Sequence, residues 1–328
     1  MKIVSPSFEL LPPHGTAQMD VLQRIERCGR ICYKSEAKIT EDSCVKFVGG
    51  IISRGHEAVL EHATLIFLLD FHTWSVMQEQ IAQMEQHDRY VYESFLRFTN
   101  DVSRPIVSGN IRAWRDYLKA CRVVYGHVPP FADVIVDKYP VLFPEFLGTP
   151  HCNRPAKHTI EQLAVGDLYT INEKLTHYDR TVIFTCDRGV SHEIVRHRPA
   201  SYCQESTRYC NYSKEGFGGE IAVIKPSYLH IGSQGYNIWA KACRNAEMAY
   251  FDLLTYGCVP QEARAVLPTS LKTEVCMTTY LSEWRHFLNL RGSTAAHPQI
   301  RELALPLCSS FTVELPDIFA GVAAGLNL

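Results

Sequence analysis

The chain has 328 residues, enough for one large domain or two ordinary ones. Apolar residues make up 46% and charged residues 21%, the balance of a soluble globular protein. A formal net charge of −2 argues against general attraction to nucleic acid or to a membrane surface, and no apolar run approaches the ~18 residues of a membrane span.

The N-terminus, MKIVSPSFELLPP, lacks the apolar core of a secretory leader. Ile3, Val4, Phe8 and Leu10 predict one strand over 1–11, ended by Pro12, Pro13 and Gly15. Met19, Leu22 and Ile25 recur at a helical period and predict a helix over 19–27. A second helix is expected over 41–53, weakened by Gly49 and Gly50 and stopped by Gly55. His56-Glu57-Ala58-Val59-Leu60-Glu61-His62 looks like a zinc-protease helix and fails the test. Those enzymes need two histidines one helical turn apart, and this spacing turns the rings to different sides. A structural role is the plain reading of either histidine. Residues 64–71 form a strand by their branched and aromatic content.

Helices are predicted over 74–86 and 111–124, the latter with Ile111, Trp114, Leu118 and Cys121 on one face and Asn110 as its cap. Residues 126–158, punctuated by prolines from Pro129 to Pro155, predict ordered loop. Arg89, Arg97, Arg104, Arg112 and Arg115 dot this part of the chain, and solvated charge is their default reading. A strand over 181–186 follows. Val190, Ile194 and Val195 then predict a short amphipathic helix that Pro199 stops near Arg198. Beyond it come a glycine loop at Gly216, Gly218 and Gly219, a short strand over 221–224, and a long helix over 237–256 ended by Gly257. Helix 260–267 opens on Pro260. A strand over 271–279 and helices over 281–291 and 298–314 complete the expectation.

The stretch 189–209 carries the chemistry. Arg196, His197 and Arg198 would occupy the last helical turn and fan out by about 100° each, spanning a long anion or two anions rather than gripping one. The hydroxyls of Ser201, Tyr202, Ser206, Thr207 and Tyr209 would form a loop folding back over them, and Arg208 returns a cation at its end. A solvated basic helix end is the bland alternative. The twelve cysteines include no C-x-x-C pair, so free thiols in a reducing cytoplasm fit better than a disulfide framework. A zinc site from His192, His197, Cys203 and Cys210 fits no common spacing.

Arg-His-Arg-x-Ala-Ser-Tyr-x-x-x-Ser-x-Arg-Tyr over 196–209 resembles the signature of the flavin-dependent thymidylate synthases. His-Glu-x-x-x-Glu-His at 56–62, Ala-Arg-x-x-Leu-Pro at 263–268 and Phe-Leu-Asn-Leu-Arg at 287–291 are similar to further elements of that family, in the family's order. The resemblance covers roughly 1–70 and 180–315 and makes 72–180 mostly an insertion. It implies transfer of one carbon from methylenetetrahydrofolate to C5 of dUMP, with FAD as cofactor and NADPH as reductant. C5 would be activated by polarising the ring, not by a cysteine. Arg291 would be the catalytic residue, stabilising the anionic pyrimidine. Ala58, Glu61, Arg196, His197, Arg198, Gln204 and His286 would contact FAD. Glu193, Arg196, Gln204, Glu205, Ser206, Arg208, Arg264 and Arg291 would contact dUMP. No metal is implied.

Some positions depart from the family pattern. Ala58 lacks the hydroxyl of relatives and would serve by its backbone. Glu193 stands where relatives carry Gln; it must face the base or sugar, pair with an arginine, or sit outside the site. Tyr280 and Ser282 replace Asn and Arg, so the adenine end of FAD would be held differently. The expected fold is α+β, a single domain over 1–328 with a central, mostly antiparallel sheet flanked by helices and interrupted by a helical and loop insertion at about 72–180. The expected assembly is a cytoplasmic homotetramer with sites at subunit interfaces and no nucleic-acid or membrane partner. A related flavoenzyme methylating another pyrimidine nucleotide is the alternative. A nucleic-acid-binding protein using 196–209 as a phosphate clamp is disfavoured by the charge balance.

Overall fold

Ser5-Pro6 divides the N-terminal apolar run in two, so the single strand expected over 1–11 is a pair, β1 (Lys2–Val4) and β2 (Ser7–Leu10). Proline brings no N–H to a ladder, and the two pieces take different partners. The computed structural model describes residues 1–85, 96–99, 101–148, 160–214 and 218–328. Helix α1 (Gln18–Ile31) buries Val21, Leu22, Ile25 and Cys28 along one stripe. Helix α2 (Ser43–Ser53) ends before Gly55, whose φ of 69° suits glycine. A 3-10 turn (Glu57–His62) leads into β3 (Thr64–Leu69), followed by α3 (Phe71–Glu85). Gln86 and Arg89 lie outside the described residues.

Strands β4 (Leu96–Phe98) and β5 (Ile106–Asn110) precede α4 (Ile111–Tyr125). Asn110 caps α4 as expected, its Oδ1 accepting from the Ala113 N–H at 2.8 Å. The region read as loop from 126 contains α5 (Ala132–Lys138) and a 3-10 turn (Pro144–Phe146). Pro129 and Pro130 precede that helix instead of breaking it, and Ile135, Val136 and Phe146 are buried. Residues 149–158, with Pro150 and Pro155, are not among the described ones.

Then come β6 (Ile160–Leu163), α6 (Ile171–His177), β7 (Asp179–Asp187), α7 (Arg188–Ile194) and β8 (Ser201–Gln204). Gly216 of the predicted glycine loop is undescribed; Gly218 and Gly219 both have positive φ. The chain continues through β9 (Ala222–Ile224), α8 (Gln234–Tyr256), α9 (Pro260–Ala263), β10 (Lys272–Tyr280), α10 (Leu281–Gly292) and α11 (Pro298–Glu314). A further helix, α12 (Pro316–Gly325), was not expected.

The fold is α+β and its large sheets are antiparallel, but the strands do not share one central sheet. One sheet has the order β2-β7-β10-β8 and another β4-β5-β3-β6, while β1 and β9 pair in parallel. Both edges of β3 are taken by strands from within 72–180, β5 and β6. That segment therefore supplies most of a sheet. In the first sheet, Phe184 of β7 meets Trp284 and Phe287 of α10, with ring centroids 6.3 and 6.1 Å apart. Such rings each contribute about 2–3 kcal/mol by leaving water and fix α10 against the sheet. Among the described residues, no helix is long and apolar enough to cross a membrane.

Candidate functional site

β7 delivers the signature segment. Asp187, its last residue, caps α7: Oδ1 accepts from the Val190 N–H at 2.7 Å, and Gln299 Nε2 steadies Oδ2 at 2.5 Å. The helix stops at Ile194, a turn before the expected Arg198. The Tyr202 hydroxyl explains the early stop. It lies 2.9 Å from the Ile194 carbonyl, which also accepts from the His197 N–H at 3.1 Å, and 2.7 Å from the His197 carbonyl. Arg196, His197 and Arg198 thus sit in a turn, with Arg196 and Arg198 exposed and His197 buried. The hydroxyl run is not all loop either: Ser201–Gln204 forms β8, which pairs with β10. Cys203, expected in a loop, is a buried strand residue.

α10 faces this turn. Arg291 Nη1 is 2.9 Å from Glu193 Oε2, and Nη2 donates to the Glu193 carbonyl at 2.8 Å. Of the options open to Glu193, pairing with an arginine is the one realised, and the partner is Arg291. His197 packs 5.2 Å from His286 and edge-on to Phe287 at 5.5 Å. Burial, then the charges of His286 and Arg291, hold the His197 pKa down at about 4, so the ring is neutral near pH 7. Its Nε2 and the Nε of Arg291 are buried without hydrogen-bond partners. Arg198 lies 5.2 Å over the Tyr202 ring. Gln204 Nε2 donates to Ser191 Oγ at 2.9 Å, tying β8 to α7.

A second group forms further along. The Ser206 N–H donates to the Cys32 carbonyl at 3.2 Å, and Ser206 Oγ accepts from the Arg208 N–H at 3.2 Å. Arg264 Nη1 reaches Thr207 Oγ1 at 3.3 Å, and both Arg208 and Arg264 are exposed. Glu205 differs: its carboxylate is buried and paired with Lys272 at 3.0 Å. Lys272 also holds Glu274 at 2.6 Å. Burial opposes the Lys272 charge, but Glu205 and Glu274 outweigh it and raise its pKa.

Ala58 is exposed on the 3-10 turn, and Glu61 pairs with Arg112 at 2.7 Å. Glu61 lines one crevice with Pro199, Ser201 and Tyr280. The arginines read as solvated charge are paired wherever described. Arg104 meets Glu173 at 2.6 Å, Arg115 meets Glu145 at 2.6 Å and Glu57 at 3.2 Å, and Arg97 approaches Glu283 at 3.6 Å. Helix α4 thus carries a basic face that answers the acids of 56–62. Tyr202, Thr207, Glu283 and Arg97 touch the expected site residues or one another; of these Glu283 escaped the sequence reading and Arg97 was read as solvated charge. Tyr202 and Thr207 stood in the hydroxyl run; nothing local marked Arg97.

Burial pushes the Cys276 thiol up, and Cys203 is raised mainly because it donates to Cys32, whose own thiol is lowered by accepting that bond. Among the described residues, the His/Cys group whose ligand atoms converge is Cys28, His62 and Cys276, within 4.8 Å of one another and buried, not the four residues weighed for zinc. His62 Nδ1 already has the Thr278 hydroxyl at 2.7 Å.

A family model described as thymidylate synthase complementing protein matches residues 155–317. The chain is 34% identical over 119 residues to a flavin-dependent thymidylate synthase of Thermococcus onnurineus, covering 36% of this chain and 48% of that protein. It is 31% identical over 138 residues to one of Geobacter sulfurreducens, covering 42% and 58%. To one of Corynebacterium glutamicum it is 29% identical over 161 residues, covering 44% and 62%. It spans about half the length of the curated relatives it matches. The matched region holds α7, β8, β10 and α10, the elements that assemble the arginine sites, and on this agreement the chain belongs to the thymidylate synthase complementing protein family.

Proposed function

We propose that this chain is a flavin-dependent thymidylate synthase, converting dUMP to dTMP with methylenetetrahydrofolate as carbon donor and NADPH as reductant. The single observation that carries this reading is the fork of Arg291 locked onto Glu193 of the signature segment. An arginine stays charged when desolvated and donates in a plane, which suits an anionic pyrimidine edge. The exposed Arg208 and Arg264, with the half-buried Ser206, form a donor-rich group suited to a sugar phosphate. The residues fit FAD on a concrete count of donors. Arg196 and Arg198 are exposed cations, and His197 Nε2 is a buried donor or acceptor with no partner. FAD would carry the reducing electrons from NADPH to the transferred carbon. The protein's part is to bind, orient and polarise: Arg291 draws charge from the ring, the neutral His197, with His286 beside it, lines the flavin side, and Gln204 bridges the two.

No thiol is needed as nucleophile, in line with the raised pKa of the buried Cys203 and Cys276. Residues 72–180 are, in this reading, an insertion into a single domain. A cytoplasmic homotetramer would complete each site from neighbouring copies. Release of label from C5 of dUMP, measured with NADPH and methylenetetrahydrofolate, tests the proposal; no label release in the presence of bound flavin overturns it. The Glu193–Arg291 pair favours one alternative, methylation of a different pyrimidine nucleotide, which the same assay detects with other labelled pyrimidine nucleotides.

A further inference from the structure

Arg97 carries the segment over 72–180 to the start of α10, beside the signature turn. Strand β4 pairs with β5, in the sheet that does not carry the signature segment. Arg97, at the centre of β4, nevertheless crosses to the start of α10. Its Nη1 donates to Ser282 Oγ at 3.2 Å, and its Cζ lies 4.2 Å over the Tyr280 ring. Its Nη2 is 3.6 Å from Glu283 Oε1, while Glu283 Oε2 is 3.7 Å from His197 Nε2. One carboxylate therefore stands between the cation of β4 and the buried imidazole of the signature.

Three features point to an anion here. The 3.6 Å gap to Glu283 is too long for a hydrogen bond, so the guanidinium keeps donors beyond the one spent on Ser282. Tyr280, at the N-cap of α10, provides no side-chain cap; the Leu281 N–H is taken by the Tyr178 carbonyl at 2.9 Å, which leaves the next amides, of Ser282 and Glu283, at the start of a 12-residue helix for another acceptor. His197 Nε2, with a side chain only 2% exposed, has no hydrogen-bond partner and is directed toward the same carboxylate. A guanidinium, open helix amides and an unsatisfied imidazole together match a phosphate oxygen.

We infer that Arg97 is a cofactor-binding residue, gripping a phosphate oxygen of the flavin dinucleotide against the N-terminus of α10. This rests on the flavin-dependent reading above. The inserted strand then completes the cofactor site, and Tyr280 serves as the flat support that keeps the guanidinium in place.

The test titrates the full-length, flavin-freed chain with FAD and with riboflavin, which has the ring system but no phosphate, following flavin fluorescence. Arg97→Gln weakens FAD binding about tenfold or more, the loss expected of one charge-assisted hydrogen bond, and leaves riboflavin unchanged. Arg97→Lys keeps the charge beside Glu283 but loses the planar fork, and binds FAD about two- to threefold more weakly than the parent chain. It also serves if Arg97→Gln does not fold. FAD affinity equal to that of the parent in the variants, or a parallel loss for FAD and riboflavin, overturns the assignment. A parent chain without FAD affinity overturns the flavin-dependent reading itself, a different result from an Arg97 variant that binds normally.

Discussion

Glu193 holds Arg291 from two sides, by its carboxylate and by its own carbonyl. The carboxylate is about a third exposed, so the pair contributes at most about 1 kcal/mol to stability. Its larger effect is on the charge that Arg291 can offer a ligand. Glu193→Gln keeps an acceptor for Nη1 but removes the competing anion. Binding of dUMP should tighten severalfold, read as a lower dissociation constant by calorimetry; weaker binding would mean that Glu193 itself contacts the nucleotide. Arg291→Ala should cost about 10²–10³ in turnover, the scale of one lost donor to a developing anion. Bound flavin, measured at 450 nm, should remain. Normal label release in this variant would remove Arg291 from the chemistry.

At the scale of elements, most of the long helices were legible because their apolar stripes recur at 3.6 residues and their ends carry standard punctuation. Helix α4 has both its Asn110 cap and Gly126 at φ 75°, and α8 ends on Gly257 at φ 111°. Misreadings fell where tertiary partners overrule local pattern. Pro199 suggested a stop at Arg198, yet a hydroxyl from β8 closes α7 at Ile194. The serine and tyrosine of 201–202 looked like loop and became a strand because β10 offers its edge. Proline density hid α5, since Pro129 and Pro130 only precede it. Tyr202→Phe tests how the turn is held. The ring stays beneath Arg198, but the carbonyls of Ile194 and His197 lose their shared donor. Stability should fall by about 1–3 kcal/mol in urea unfolding, and flavin should be retained less tightly because Arg196–Arg198 lose their anchor. An unchanged midpoint would show that the hydroxyl does not close the helix.

At the scale of the whole molecule, the family motifs marked the sheet β2-β7-β10-β8 and were silent about the second one. No motif in 72–180 signals that its strands bracket β3, because register is set by partners distant in sequence. The two sheets share one trait that does yield a prediction. Each region buries histidines that burial keeps neutral: His62 with a pKa of about 3, His177 of about 4 and His197 of about 4. His14 shifts the same way, with desolvation again the largest cause. Their folded pKa values lie below the ordinary value of about 6.5, so on acidification the unfolded chain takes up protons first. The stability they contribute is complete above about pH 6.5 and drains away as pH falls toward 4, at up to about 1.4 kcal/mol per pH unit for each ring. The melting temperature should therefore be flat from pH 8 to 7 and fall steeply between 6.5 and 4. His62→Gln can hydrogen-bond Thr278 in either sense but cannot titrate. Its melting temperature at neutral pH should be lower, and its slope over the acid window shallower than the parent's. A parent curve flat down to pH 5, or a variant with the parent's slope, would mean that these rings are not the groups through which acid unfolds the protein.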